Sequence, residues 1–221
     1  MTADTTQHPV APAPLQLLEV VLGDEPRAWS AAGFTVDADG AVVLGSTTLR
    51  CTGAGGGVRS WSLAGAPGSA LDGLPLSPAE GRVGAPPAHP NGIASIDHVV
   101  VRTGDVERTI AAFTEVGFQV RGGRSTTSYG APMRQTFFWA GDVIVELVGP
   151  DRGEPVTDEP TSIFGLALVA ADLDTTAATL GELLGTPKPA VQEGRRIAGL
   201  RGATVGISLP IAVMSPHLKH I

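Results

Sequence analysis

The chain has 221 residues, 43% of them hydrophobic and 17% charged, enough for one large or two small domains with a substantial core, which excludes a disordered chain and a disulfide-stapled miniprotein. Fifteen Lys plus Arg against twenty-two Asp plus Glu give a net charge of -7, the opposite sign to that of a dedicated nucleic-acid binder, so no nucleic-acid partner is expected. One cysteine, Cys51, offers neither an internal disulfide nor zinc-ligand spacing and fits a reducing compartment.

Residues 1–14 (MTADTTQHPVAPAP) lack a basic n-region and an apolar h-region and read as a flexible tail. No stretch reaches eighteen consecutive apolar residues, so the expectation is a cytoplasmic protein without a membrane partner. Pro- and Gly-rich stretches at 67–90 and 150–160 read as linkers and divide the rest into blocks at 15–66, 91–149 and 161–216.

The first block is the faintest: LQLLEVVL as a strand, Asp24 and Pro26 opening a short helix that ends at Gly33, then FTVDADGAVVLG, TTLRCTG and VRSWSLAG. Its glycine run at 53–57 lacks the strand-to-helix context and the Lys of a phosphate loop, and reads as a hairpin tip. In the middle block IDHVVVR is β-branched and strand-like. Val106, Ile110 and Phe113 then repeat at helical spacing, with Thr103 or Asp105 to cap and Gly117 to end the helix. FQVRGG, MRQTFFWAG and DVIVELVGP follow as strands. The last block repeats this β-α-β-β-β order with IFGLALVA, a helix capped by Asp172 and closed at Gly185, then PAVQEG, RRIAGLRG and SLPIAVMSP. His98 to Gly165, Gly117 to Gly185 and Pro150 to Pro216 are 67, 68 and 66 residues apart. This near-constant offset argues for duplication, with the first block a degenerate copy.

A βαβββ unit has one curved sheet with a helix on its convex face, and alternation decides which side chains enter the concave side. On the first strand Asp97, Val99 and Val101 share one face and His98, Val100 and Arg102 the other. On the fourth, Val143, Val145 and Leu147 oppose Ile144, Glu146 and Val148. The all-apolar sets belong against the helix, so His98 and Glu146 both face the cavity. An imidazole and a carboxylate converging there are plausible ligands of a divalent metal of the Zn, Ni, Mn, Fe or Co type; the competing reading is a half-buried histidine with its ion-pair partner. Either Gln135 and Phe137 or, from the opposite face of the same strand, Arg134 can reach a ligand, and Arg134, Arg196 or Arg201 could grip a substrate carboxylate. Trp29, Trp61 and Trp139 read as core. His217 and His220 fall in the C-terminal tail, and Cys51 has no base near it in sequence.

The strings SIDHVVVRTGDVERTIAAFTEVGF and GDVIVELVGP resemble the first and fourth strands of the glyoxalase, bleomycin-resistance and extradiol-dioxygenase proteins, the vicinal oxygen chelate superfamily. The resemblance implies an α+β fold in which tandem βαβββ modules form a cupped β-barrel, here with a degenerate module added at the N-terminus. It implies a metal held by a His (or Gln) on strand one and a Glu on strand four of each paired module, which His98 and Glu146 match. Gly165 stands where the paired module's His is expected and Ser208 or Ala212 near its Glu, so the ligand set is incomplete. In the first block Glu19 falls at the His98 position and Ser62 at the Glu146 position; Gln135, Glu19, water or substrate atoms would have to complete a metal shell.

Two functions follow from the resemblance. One is a divalent-metal-dependent lyase, isomerase or related enzyme on a small oxygenated metabolite, with Glu146 or Glu19 moving a proton next to a carbonyl. The other is metal-free capture of a drug or metabolite, as in bleomycin-resistance proteins. If the middle and last modules pair, residues 15–66 are left with an apolar concave face and an open edge, which predicts a homodimer; a third possibility makes that dimer purely structural.

Overall fold

The computed structural model describes residues 14–217, apart from 79, 82–84 and 128–129. The tail before Pro14 and His220 lie outside the described residues.

In the first unit, β1 (Gln16–Leu22) is followed by α1 (Pro26–Ala31), β2 (Ala41–Leu44), β3 (Thr47–Cys51) and β4 (Val58–Ala64). Their sheet has the order β2-β3-β1-β4, with β1 parallel to β3 and antiparallel to β4. Strands β3 and β4 are therefore not neighbours, and the glycine run between them is not a hairpin tip. It crosses the end of β1, where Gly23 N donates to Gly57 O at 2.9 Å and a Cβ on Gly23 would collide with the Gly55 carbonyl.

The stretch 67–90 contains structure of its own. β5 (Ala70–Leu71) and β6 (Leu74–Pro75) form a hairpin turned by Asp72, at φ 45°, and Gly73, the Asp-Gly chemistry of a type I′ turn. The Asp72 carboxylate accepts hydrogen bonds from Thr109 and Thr161 hydroxyls at 2.5 and 2.6 Å and from Arg108 Nε at 2.9 Å. Asp72→Ala should cost about 2 kcal/mol, because these donors lose their shared acceptor; a urea titration checks it. Further on, His89 is buried, accepting from Thr35 N at 3.1 Å through Nδ1 and donating to the Val43 carbonyl at 2.9 Å through Nε2.

The middle unit runs β7 (Ile93–Arg102), α2 (Val106–Glu115), β8 (Gly122–Thr126), β9 (Met133–Ala140) and β10 (Val143–Pro150). Asp105 caps α2 by accepting from Arg108 N at 3.0 Å, and Gly117, at φ 106°, lets the chain leave it. The last unit runs β11 (Ser162–Ala170), α3 (Leu173–Leu180), β12 (Lys188–Pro189), β13 (Arg196–Leu200) and β14 (Ile211–Met214). Asp172 caps α3 through Thr175 N at 2.7 Å. The helix stops at Gly181, sooner than the Gly185 expected, and a 3-10 turn over Gly181–Leu183 carries the chain on. Only Lys188–Pro189 pairs near the expected PAVQEG strand; the rest of that string turns back toward β13.

These two units share one eight-stranded sheet, β12-β13-β14-β11-β7-β10-β9-β8, joined where β7 and β11 run antiparallel. Each unit places its fourth strand parallel to its first. The fold is α+β, and the sheet curls into the expected cup, which stays open at its ends because β8 and β12 do not pair with each other. The first sheet repeats the middle of the second, β2-β3-β1-β4 having the same pairing senses as β9-β10-β7-β11, but it lacks the flanking strands that would let it enclose a ligand.

One apolar cluster fills the space between the sheets. Trp61 of β4 meets Phe113 of α2 at a ring-centroid distance of 6.2 Å, and Phe113 in turn contacts Phe118 and Phe138 at 5.2 and 5.4 Å. Val99, Val101, Val143, Val145 and Leu147 point into this core, as alternation predicts. Ile110 is only half-buried, and Phe113 takes the central place on α2. The other face of the first sheet carries Glu19, Thr48, Arg50, Ser60 and Ser62 beside Val21, Ala41 and Val43. Among the described residues no helix is long and apolar enough to cross a membrane.

Candidate functional site

The cup of the eight-stranded sheet holds a cavity of about 500 Å³. His98 on β7, Gln135 and Phe137 on β9 and Ile144 and Glu146 on β10 line one side; Ile197 on β13, Met214 on β14 and residues 190–192 line the other. The register explains the convergence. His98 stands beside Ile144 and Val100 beside Glu146, so His98 and Glu146 sit diagonally on one face of neighbouring parallel strands. His98 Nε2 is 3.3 Å from Glu146 Oε2.

A β-bulge supplies the group behind the histidine. His98 opposes Ala167 and Ile96 opposes Leu168, leaving Asp97 as the extra residue and turning its carboxylate to the His98 side. Simple alternation had placed Asp97 on the far face. His98 Nδ1 donates to Asp97 Oδ2 at 2.8 Å, which fixes the tautomer and aims Nε2 at the cavity. Arg195, from the loop before β13, stands 2.7 Å from Asp97 Oδ1, and both side chains are almost fully buried, at 2% and 1% exposure. Burial alone would raise the Asp97 carboxyl, but the His98 hydrogen bond and the Arg195 guanidinium outweigh it and hold the group down to about 2. On the other side Gln135 Nε2 donates to Glu146 Oε1 at 2.5 Å, and Arg124 Nε donates to Gln135 Oε1 at 2.5 Å. The polar chain is continuous: Arg124, Gln135, Glu146, His98, Asp97, Arg195.

The third unit contributes no side chain to match. Gly165 opposes Val100 as Ala167 opposes His98, which makes Gly165 the counterpart of His98. Ala212 beside Ala167 is likewise the counterpart of Glu146. The spacing of His98 and Glu146 would suit two adjacent ligands of one metal, but no third His, Cys, Asp or Glu joins them among the described residues. Gln135 turns its amide oxygen to Arg124, and Asp97 is held by His98 and Arg195. No group of three or more His, Cys, Asp or Glu side chains with metal-binding placement occurs among the described residues. The donor set does not fit a resident divalent metal.

Several expected site residues lie elsewhere. Glu19 is on the first sheet, where Arg50 Nε binds it at 2.8 Å; it does not line the cavity. Glu19 pairs with Thr48, two residues before Arg50, so Arg50, rather than Ser62, takes the place diagonal to it that Glu146 takes to His98. Ser62 lies on the antiparallel neighbour. Arg134 points to the other side of β9 and binds Glu107 of α2 at 2.8 Å, while Arg196 binds Asp174 at 2.8 Å and Arg201 the Glu182 carbonyl. Burial, with Asp24 adding to it, pushes the Cys51 thiol up to about 12, which suits an inert core residue. Trp139, expected in the core, is 47% exposed and lines the cavity.

No protein-family profile matches the chain, and no curated protein matches it significantly. Among solved structures, a triple mutant of 4-hydroxymandelate synthase from Streptomyces coelicolor superposes with a TM-score of 0.63 at 14% identity, over 92% of this chain and 93% of that one. A xylose isomerase-like TIM barrel/4-hydroxyphenylpyruvate dioxygenase fusion protein gives 0.62 at 9% identity, over 96% of this chain and 51% of the fusion. Methylmalonyl-CoA epimerase from Mycobacterium tuberculosis gives 0.45 at 17% identity, over 58% of this chain and 91% of that one. At these identities the likeness is one of fold.

Proposed function

We propose that this chain, whose fold is that of the vicinal oxygen chelate superfamily, is a glyoxalase-like enzyme that takes a small oxygenated metabolite into the cup and moves a proton on it with Glu146 and His98, without a resident metal. The observation that carries the reading is the contact between His98 Nε2 and Glu146 Oε2 at 3.3 Å. With Nδ1 donating to Asp97, an unprotonated Nε2 would point a lone pair at a carboxylate oxygen. A proton between them would bridge the two groups in a hydrogen bond, and both side chains are of the kind that give and take protons at a cavity wall. A carbonyl compound bound there would bring an acidic C–H within reach of the Glu146 side chain and its oxygen within reach of the His98 imidazole.

The test is deuterium incorporation into a panel of 2-oxo and 2-hydroxy acids and aldehydes in D2O, followed by proton NMR. Exchange should survive chelator treatment and fall by about a hundredfold or more in Glu146→Gln. The absence of side-chain donors at Gly165 and Ala212 favours a second reading, stoichiometric capture of a metabolite or drug. Binding of panel members with no exchange would select capture over catalysis.

A further inference from the structure

The cavity carries a charge that its own residues do not neutralise. In a protein of net charge -7, Arg50, Arg102, Arg108, Arg134, Arg195 and Arg196 each stand within 3.2 Å of a carboxylate. Arg121 and Arg124 line the cavity and have no such partner among the described residues. Glu146 is the one carboxylate among the described residues that line the cavity, and its two oxygens already face Gln135 and His98. Two arginines therefore line a space in which the one carboxylate among the described residues is already engaged.

The same mouth concentrates apolar surface. Trp139 and Val191, 47% and 74% exposed, are among the most exposed large hydrophobic side chains described, and both line this cavity with Ile197 and Met214. Arg124 Cζ lies 5.9 Å from the centroid of the Phe137 ring, a cation–π contact at the cavity wall.

We infer that the ligand is an amphipathic anion: a carboxylate or phosphate gripped by Arg121 and Arg124, with an apolar, planar body resting on Trp139 and against Ile197 and Met214. Guanidinium groups bind such oxyanions in charge-assisted hydrogen bonds, and the mixed lining of a cavity this size sets both orientation and affinity. This inference rests on the reading that the cup is the binding site, and it names the ligand class where the proposed reaction does not.

Calorimetric titration of the full chain at low salt with 1-naphthoate, 1-naphthyl phosphate and neutral 1-naphthamide tests it. At least one anion should bind about tenfold or more tightly than the amide, and the tighter of the two assigns the head group. In Arg121→Gln, and further in Arg121→Gln/Arg124→Gln, the preference should collapse while amide affinity holds; because Arg121 is outside the Glu146 chain, the single variant reads the effect even if the double variant disturbs Gln135. Equal affinities for anions and amide, no binding of any probe, or a preference that survives both substitutions would overturn the inference. Glu146→Gln separates it from the proposed reaction: naphthoate binding should persist there while deuterium exchange is lost.

Discussion

Asp97→Ala is expected to lower the unfolding free energy by about 3–5 kcal/mol, because it strands the buried Arg195 guanidinium without its counter-ion. Arg195 keeps its bonds to the Ser215 carbonyl and Gln192, but neutral oxygens do not replace a carboxylate in a site that excludes water. Asp97 also writes a pH dependence into the fold. Its carboxyl is held down to about 2 from an ordinary 3.8, so the unfolded chain binds that proton more readily than the folded one. The stabilisation is complete above the ordinary value and is lost as the pH falls through about 4 toward about 2, a loss of about 2 kcal/mol. Urea titrations of the parent and Asp97→Asn across this window should show the parent losing stability more steeply. Parallel slopes would mean that Asp97 is not held as described.

Phe113→Ala should cost about 3–5 kcal/mol. The ring is fully buried and touches Trp61 on one sheet and Phe138 on the other, so its removal opens a cavity that neither sheet can fill without moving the other. Thermal unfolding followed by circular dichroism should remain a single transition at lower temperature. A variant that melts in two steps would show that the two sheets are coupled mainly through this residue. Ile110, on the same helix but half-buried, should tolerate alanine much better.

The contrast between Ile110 and Phe113 shows how far the sequence carries. Helical spacing identifies a face, but which residue on that face is central depends on where the first sheet lands, and no local pattern encodes that. The caps Asp105 and Asp172, the strand alternation that points His98 and Glu146 the same way, and the repeat that relates Gly165 to His98 were all legible, because each is set within a few residues or by a constant offset. Asp97 was misplaced because a bulge, evident only in the pairing of β7 with β11, breaks the period of two. The Asp-Gly turn of the short hairpin was readable from residue type yet was masked by the prolines around it. Arg121 and Arg124 carried no signal in sequence: only the curl of the sheet brings β8 over the cavity. The first unit deceived for a related reason. Its strands follow one another as in a full module, while their pairing makes β4 the counterpart of β11, so that Glu19 meets Arg50 rather than a cavity.

The open cup leaves two strand edges unpaired, and such edges are where a foreign strand would add and fibres would grow. At one end β12 is only Lys188–Pro189: proline has no N–H to offer, and a lysine would be buried uncompensated by any chain that docked against it. At the other end β8 opens with Gly122 and Gly123 and then carries Arg124, a pliant start followed by a charge. The molecule can thus keep its cavity accessible to solutes from the side without presenting a competent template for polymerisation, a protection that a closed barrel obtains by having no edge at all.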